Sequence, residues 1–272
     1  MTLDWPAARS PTLRCLPARE RTKSEEETSM STLNSDQFAR IRTLGDIARV
    51  HATVRPDAVA MKFEGRTTTY RELDAHTNRV AHALLAAGIS KDGRIGYLAK
   101  NTDCFFEILI GGAKCGAVTL PIGWRLAAAE IAYLLENGEV SLLFVGREFV
   151  ALARQAIEIS GQKVRVIELE SDAPDGYTAW RDSGNDVDPA IAISPSGTAL
   201  QLYTSGTTGR PKGVMLPPTM FAAGATIAEH IEKLAQSPFA TVGGPHLIVG
   251  PLYHTGPLSG SRSIAGGTAL VI

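Results

Sequence analysis

Cysteine is scarce and unpatterned. Cys15, Cys104 and Cys115 are the three in 272 residues, and no two stand at C-x-x-C spacing. Neither a zinc site nor a disulfide framework is indicated, and reduced thiols in a cytoplasmic protein are expected. Charge of one sign is also missing. The 27 Lys and Arg residues face 28 Asp and Glu, a net charge of -1, which gives no support to a nucleic-acid or acidic-membrane partner. Long uncharged apolar runs are absent too. The stretch 105–122 is interrupted by Glu107 and Lys114, whereas a spanning helix needs about 20 largely uncharged residues. No transmembrane segment is therefore expected. The first thirty residues lack the continuous apolar core of a signal peptide. They are rich in Pro, Arg, Ser and Glu, and residues 1–40 are expected to be disordered. Met30 stands just before the sequence becomes foldable and is an alternative start.

What is present is ordinary for a globular chain: 44% apolar and 20% charged residues, enough for one or two domains. Periodicity predicts a helix over 44–54, a hairpin of two strands over 58–63 and 66–70, and a long helix from about residue 70 to Gly88. Thr69 followed by Glu72 is a capping box for that helix, and Gly88 is placed to end it. Beyond it the pattern alternates: strand 94–99, helix 102–114, strand 117–122, helix 127–137 with Gly138 as its stop, strand 140–145, helix 147–160, strand 164–169. Such alternation points to an α/β fold with mostly parallel sheets flanked by helices. Residues 171–197, rich in Ser, Asp, Gly and Pro, read as a linker or long surface loop. A second α/β stretch opens at Thr198. A strand over 247–250 and a last one over 268–272 complete the pattern, the last expected to leave an exposed apolar sheet edge.

The chemistry concentrates in one segment. An apolar strand over 199–203 runs into Thr204, Ser205, Gly206, Thr207, Thr208 and Gly209, with Lys212 shortly after. Glycines let the backbone approach a ligand and form an anion-binding nest; hydroxyls add donors, and Lys212 adds a compact positive charge. The composition suits a polyphosphate. It is not the Walker A loop, whose lysine follows the second glycine and precedes Ser or Thr; here Lys212 precedes Gly213. A bland alternative, a Ser/Thr/Gly-rich surface loop between strands, fails to explain the joint spacing of glycines, hydroxyls, Pro211 and Lys212.

The run from Tyr203 to Val214, YTSGTTGRPKGV, closely resembles the phosphate-binding signature of the adenylate-forming (AMP-binding) superfamily: acyl-CoA synthetases, peptide-synthetase adenylation domains and firefly-type luciferases. Other segments agree and follow in the family's order. Thr69-Tyr70-Arg71-Glu72-Leu73 looks like its first core motif. The second is matched by 112–118, Leu120-Pro121 and Trp124-Arg125-Leu126, and the fourth by Pro251-Leu252-Tyr253-His254-Thr255-Gly256. The first two also read as plain packing units. The resemblance covers residues 41–272 and implies an incomplete large N-terminal adenylation domain. It implies ATP, Mg²⁺ and coenzyme A as cofactor and co-substrates and a small carboxylic acid as substrate. Phosphates would be held by Thr204, Ser205, Gly206, Thr207, Thr208, Gly209 and Lys212, and the acyl pocket bordered by Tyr253, His254 and Gly256. No catalytic residue is assigned within the chain. The family's magnesium-binding glutamate, ribose aspartate and C-terminal lysine are expected beyond Ile272, so this stretch alone is expected not to complete adenylation.

Two departures stand out. Pro217-Pro218 replaces a common Thr/Ser-His pair, which tells against a polar contact there, and Gly123 replaces a common Asn. The segments 123–126 and 251–256 look more like fatty or aromatic acyl-CoA synthetases than peptide synthetases. An amino-acid-activating domain and a non-catalytic nucleotide-binding fragment remain the alternatives.

Overall fold

The alternation of strands and helices read from the sequence is present and is gathered into two sheets. The computed structural model describes residues 35–171, 173–204, 210–221, 229 and 244–272. After a single turn, α1 (Ser35–Phe38), come α2 (Leu44–Val54), β1 (Val59–Phe63), β2 (Arg66–Thr69), α3 (Tyr70–Ala86), β3 (Arg94–Leu98), α4 (Cys104–Cys115), β4 (Val118–Pro121) and α5 (Ala128–Asn137). They are followed by β5 (Val140–Val145), α6 (Val150–Ser160), β6 (Arg165–Glu168), α7 (Tyr177–Asp182), β7 (Leu200–Thr204), β8 (Lys212–Leu216), β9 (His246–Leu247), α8 (Gly256–Ala265) and β10 (Leu270–Val271). One sheet has six strands in the order β6-β5-β3-β4-β7-β8, the other four in the order β2-β1-β10-β9. Only β1/β2 and β7/β8 pair antiparallel among the described residues. The mostly parallel α/β architecture is therefore as expected.

Local signals account for the element boundaries. Glu72 accepts from the Thr69 amide at 2.8 Å while its own amide reaches the Thr69 hydroxyl at 3.3 Å, the reciprocal box that satisfies two otherwise orphaned donors at the start of α3. Helix α5 stops at Asn137 before Gly138, as expected, but not through a left-handed turn. Gly138 has φ of -85°. It is glycine because a Cβ would stand 2.3 Å from Leu120 Cδ1 and 2.8 Å from the Leu134 carbonyl.

Helix α4 carries the apolar run that was too interrupted to span a membrane, and among the described residues no helix is long and apolar enough to do so. Its residues Phe105 to Cys115 are all buried, Glu107 and Lys114 included. Each buried charge has partners, as burial demands. Lys114 Nζ donates to Asp74 Oδ1 and Asn78 Oδ1, both at 2.6 Å, which ties α4 to α3.

Several expectations are corrected. Residues 35–40 fall in the segment read as disordered, yet α1 forms there because Phe38 and Ile41 reach the main core. Residues 1–34 lie outside the described residues. The stretch 171–197 is not a bare loop: α7 forms within it, since Tyr177 and Trp180 bury against Phe144. The strand expected over 247–250 is His246–Leu247 only. The last strand is no sheet edge, because β10 lies between β1 and β9 and pairs parallel with both.

Candidate functional site

The predicted phosphate-binding segment runs between β7 and β8, two strands that pair antiparallel. Strands β7 and β8 pair from Leu200↔Leu216 to Thr204↔Lys212, and β7 joins the parallel part of the sheet at Thr119↔Leu200. The hairpin thus hangs from the carboxyl end of the sheet. Thr204 and Lys212 face each other at its neck, and both are exposed. Ser205, Gly206, Thr207, Thr208 and Gly209 lie outside the described residues. Helix α5 supports the neck. Tyr133 Oη donates to the Pro211 carbonyl at 3.2 Å, and Arg210 lies over the Tyr133 ring at 5.5 Å. On the other strand, Tyr203 Oη donates to Asn137 Oδ1 at 2.6 Å.

The second group of predicted residues sits in a turn fastened to the same end of the sheet. The Pro251 carbonyl accepts from the amides of His254, at 3.1 Å, and Gly256, at 3.3 Å. Asn101, just beyond β3, holds this turn from outside. Its Nδ2 donates to the Gly250 carbonyl and its Oδ1 accepts from the Leu252 amide, both at 3.0 Å. Tyr253 packs its ring against Gly123, beyond β4, and its hydroxyl accepts from Arg125 Nη1 at 3.0 Å. Arg125 in turn lies 4.1 Å over Trp124. His254 is exposed, and no hydrogen bond of its imidazole is among the described interactions. Gly256 is buried at the start of α8, where a Cβ would meet the Pro251 carbonyl at 2.9 Å and the Gly250 carbonyl at 3.0 Å. It shapes the turn by close approach.

Sequence reasoning passed over Asn101, Tyr133, Asn137 and Tyr203 as site supports. Their partners lie far along the chain, 149 and 151 residues away for Asn101, and nothing local marks such a contact. No contact between the hairpin neck and the 251–256 turn is among the described interactions. They share the carboxyl end of the sheet, the usual ligand-binding edge of an open α/β fold.

A larger cleft, about 980 Å³, opens outside the carboxyl ends of β3, β5 and β6, and none of the predicted site residues lines it. Its polar groups are matched to one another. Glu107 accepts from Tyr177 Oη at 2.8 Å and Arg181 Nη1 at 3.1 Å, and bonds His76 Nδ1 at 2.8 Å. Asp103 pairs with Arg66 at 3.0 Å. Burial alone would raise the Glu107 carboxyl, but His76, Arg181 and the Tyr177 hydroxyl outweigh it and hold it below the usual range. The cluster ties α3, α4 and α7 together, and the cleft reads as a polar seam between them. Burial pushes the Cys104 thiol well up and the Cys115 thiol up to about 11, so neither is a nucleophile near neutral pH. Among the described residues, no group of three or more His, Cys, Asp or Glu is placed to hold a metal ion.

A parallel sheet with a second sheet packed by helices, carrying a glycine- and hydroxyl-rich hairpin at its carboxyl end, is the architecture of the N-terminal domain of adenylate-forming enzymes. A Mycobacterium tuberculosis fatty acyl CoA synthetase superposes with a TM-score of 0.68 at 26% identity, over 86% of this chain and 45% of that one. The family model described as AMP-binding enzyme matches residues 48–262; the chain belongs to that family. It is 37% identical over 185 residues to the fatty acid–[acyl-carrier-protein] ligase ScoC of Streptomyces coeruleorubidus, 68% of this chain and 34% of the relative. It is 32% identical to part of tyrocidine synthase 3 of Brevibacillus parabrevis, 71% of this chain and 3% of that protein. The chain spans less than half the length of each of these three relatives.

Proposed function

We propose that the chain supplies the ATP-phosphate-binding and acid-binding part of an enzyme that activates a fatty or aromatic carboxylic acid. The carboxylate attacks the α-phosphorus of ATP, forming acyl-AMP and releasing pyrophosphate. A thiol sulfur then attacks the acyl carbon, forming a thioester and releasing AMP. Thr204, the 205–209 loop and Lys212 hold the β- and γ-phosphates, and Tyr253, His254 and Gly256 border the acid. The protein's part is positioning and charge stabilisation. The observation that carries this reading is the neck of the hairpin. Lys212 is exposed, lacks a salt bridge among the described residues, and faces Thr204 across the base of the hydroxyl-rich loop. The thiol is that of coenzyme A; ScoC, named for an acyl-carrier protein, makes a carrier thiol the competing acceptor. The raised thiols of Cys104 and Cys115 fit a reducing, cytoplasmic setting.

Calorimetric titration with ATP tests the assignment. A charge-assisted hydrogen bond is worth about 1.5–3 kcal/mol, so Lys212→Ala should weaken ATP binding about ten- to hundredfold. Its melting temperature should stay within a degree or two, since the side chain is exposed. Equal affinity in the variant would refute the site. Labelled-pyrophosphate exchange by a full-length relative, with fatty, aromatic and amino acids, decides the acid. Exchange with amino acids alone would favour the peptide-synthetase reading that the tyrocidine synthase likeness keeps open.

A further inference from the structure

The two hydrogen bonds that hold the hairpin neck come from one helix. Tyr133 and Asn137 are four residues apart on α5 and therefore share a face. Tyr133 donates to the Pro211 carbonyl at 3.2 Å, and Asn137 accepts from Tyr203 at 2.6 Å. The helix between them is well anchored. Ile131, Leu134 and Leu135 are buried in a core cluster with Leu120 and Leu143, and Glu130 caps the start by accepting from the Ala127 amide at 2.8 Å. The opposite face of α5 is thus bolted to the sheet, while Tyr133 and Asn137 reach one strand each of the hairpin. The Pro211 carbonyl belongs to the same peptide group as the Lys212 amide, so the Tyr133 hydroxyl grips the plane from which the lysine departs. Arg210, stacked over the Tyr133 ring, secures the preceding residue.

We propose that α5 is the brace of the nucleotide loop, and that Tyr133 is a positioning residue that aims Lys212 at the phosphates. The inference rests on the reading of the hairpin as the phosphate site. Its physical logic is preorganisation. Fixing Tyr203 and Pro211 before a ligand arrives lowers the ordering that binding would otherwise require of the neck. Lys212 is a point charge on a flexible stem, so its aim depends on the backbone that carries it.

The test is a double-mutant cycle read by ATP affinity on the full chain, with melting temperature alongside. Tyr133→Phe removes one hydroxyl and keeps the ring under Arg210. It should weaken ATP binding about three- to tenfold, the worth of one net hydrogen bond, with an unchanged melting temperature. In the Lys212→Ala background the same substitution should add nothing, because its effect passes through the lysine. Asn137→Ala should weaken ATP binding in the same direction, through the other strand. If Lys212→Ala weakens binding and Tyr133→Phe does not, the brace is refuted while the nucleotide site stands. If the two effects simply add, Tyr133 does not act through Lys212 and the proposal fails. If the wild-type chain does not bind ATP, or Lys212→Ala is indifferent, the site itself is refuted, and the brace falls with it.

Discussion

Acidification should destabilise this protein through one histidine as pH falls from 6.5 toward 4. His51 on α2 is fully buried. Its ring stacks on Tyr70 at 4.4 Å, and Nε2 donates to the Ala265 carbonyl at 2.9 Å. A carbonyl only accepts, so Nε2 carries the proton of the neutral ring. Nδ1 has no partner and is where a second proton would go. Burial penalises that cation most, the Ala265 bond offsets part of the penalty, and the Arg55 charge adds to it. The pKa falls from 6.5 to about 4. The sign follows from which state binds the proton first. Unfolded chain takes it up near pH 6.5 and folded chain only near pH 4, so the contribution is full above 6.5 and is lost as pH falls toward 4. At about 1.4 kcal/mol per pH unit the whole displacement amounts to about 3 kcal/mol, of which about 2 is gone by pH 5. Urea unfolding at pH 7, 6 and 5 measures it, with His51→Gln as the comparison, since glutamine keeps a donor and does not titrate. His246, also lowered by burial, works in the same direction in both proteins and cancels in the difference. The gap between wild type and variant should change by about 2 kcal/mol from pH 7 to pH 5. A parallel pair of pH profiles would refute the burial argument.

Two further substitutions test the packing. Glu107→Ala takes from the Tyr177 hydroxyl and His76 Nδ1 their carboxylate partner in a buried seam, and leaves Arg181 with Asp182 alone of its two carboxylates. Breaking a buried ion pair by removing one partner costs about 3–5 kcal/mol, so urea unfolding should show a loss of that order; under 1 kcal/mol would mean the cluster is no structural tie. Gly256→Ala drives a Cβ against two backbone carbonyls, Pro251 at 2.9 Å and Gly250 at 3.0 Å. Because backbone cannot swing aside as a side chain can, about 1–3 kcal/mol should be lost, and an unchanged melting temperature would show that the turn has room.

The large cleft illustrates why size alone does not locate a site. It lies outside the carboxyl ends of three strands, where ligands commonly bind, yet His76 and Arg181 pair with Glu107, and Arg66 with Asp103. The hairpin neck is exposed, but it leaves the Lys212 ammonium without a hydrogen bond or salt bridge among the described residues, as the separate 251–256 turn leaves the His254 imidazole.

Much of this protein was readable along the chain. Helix α2 spans Leu44–Val54 and β5 spans Val140–Val145, as their periodicity predicts. The Thr69–Glu72 box starts α3 where expected. These signals work because helix period, strand period and capping act within a few residues, where the sequence states them outright. The family signature at 203–214 was legible for the same reason, as a run of small and polar residues in fixed order. Tertiary structure alone decided the rest. Nothing local says that β10 inserts between β1 and β9, that Asn101 fastens a turn about 150 residues away, or that Trp180 turns an apparent linker into a docked helix. Nor does the sequence of α5 announce that Tyr133 and Asn137 brace a hairpin. Each depends on which surfaces meet after the chain has folded, and a burial or a hydrogen bond between distant residues leaves no periodic mark on either of them.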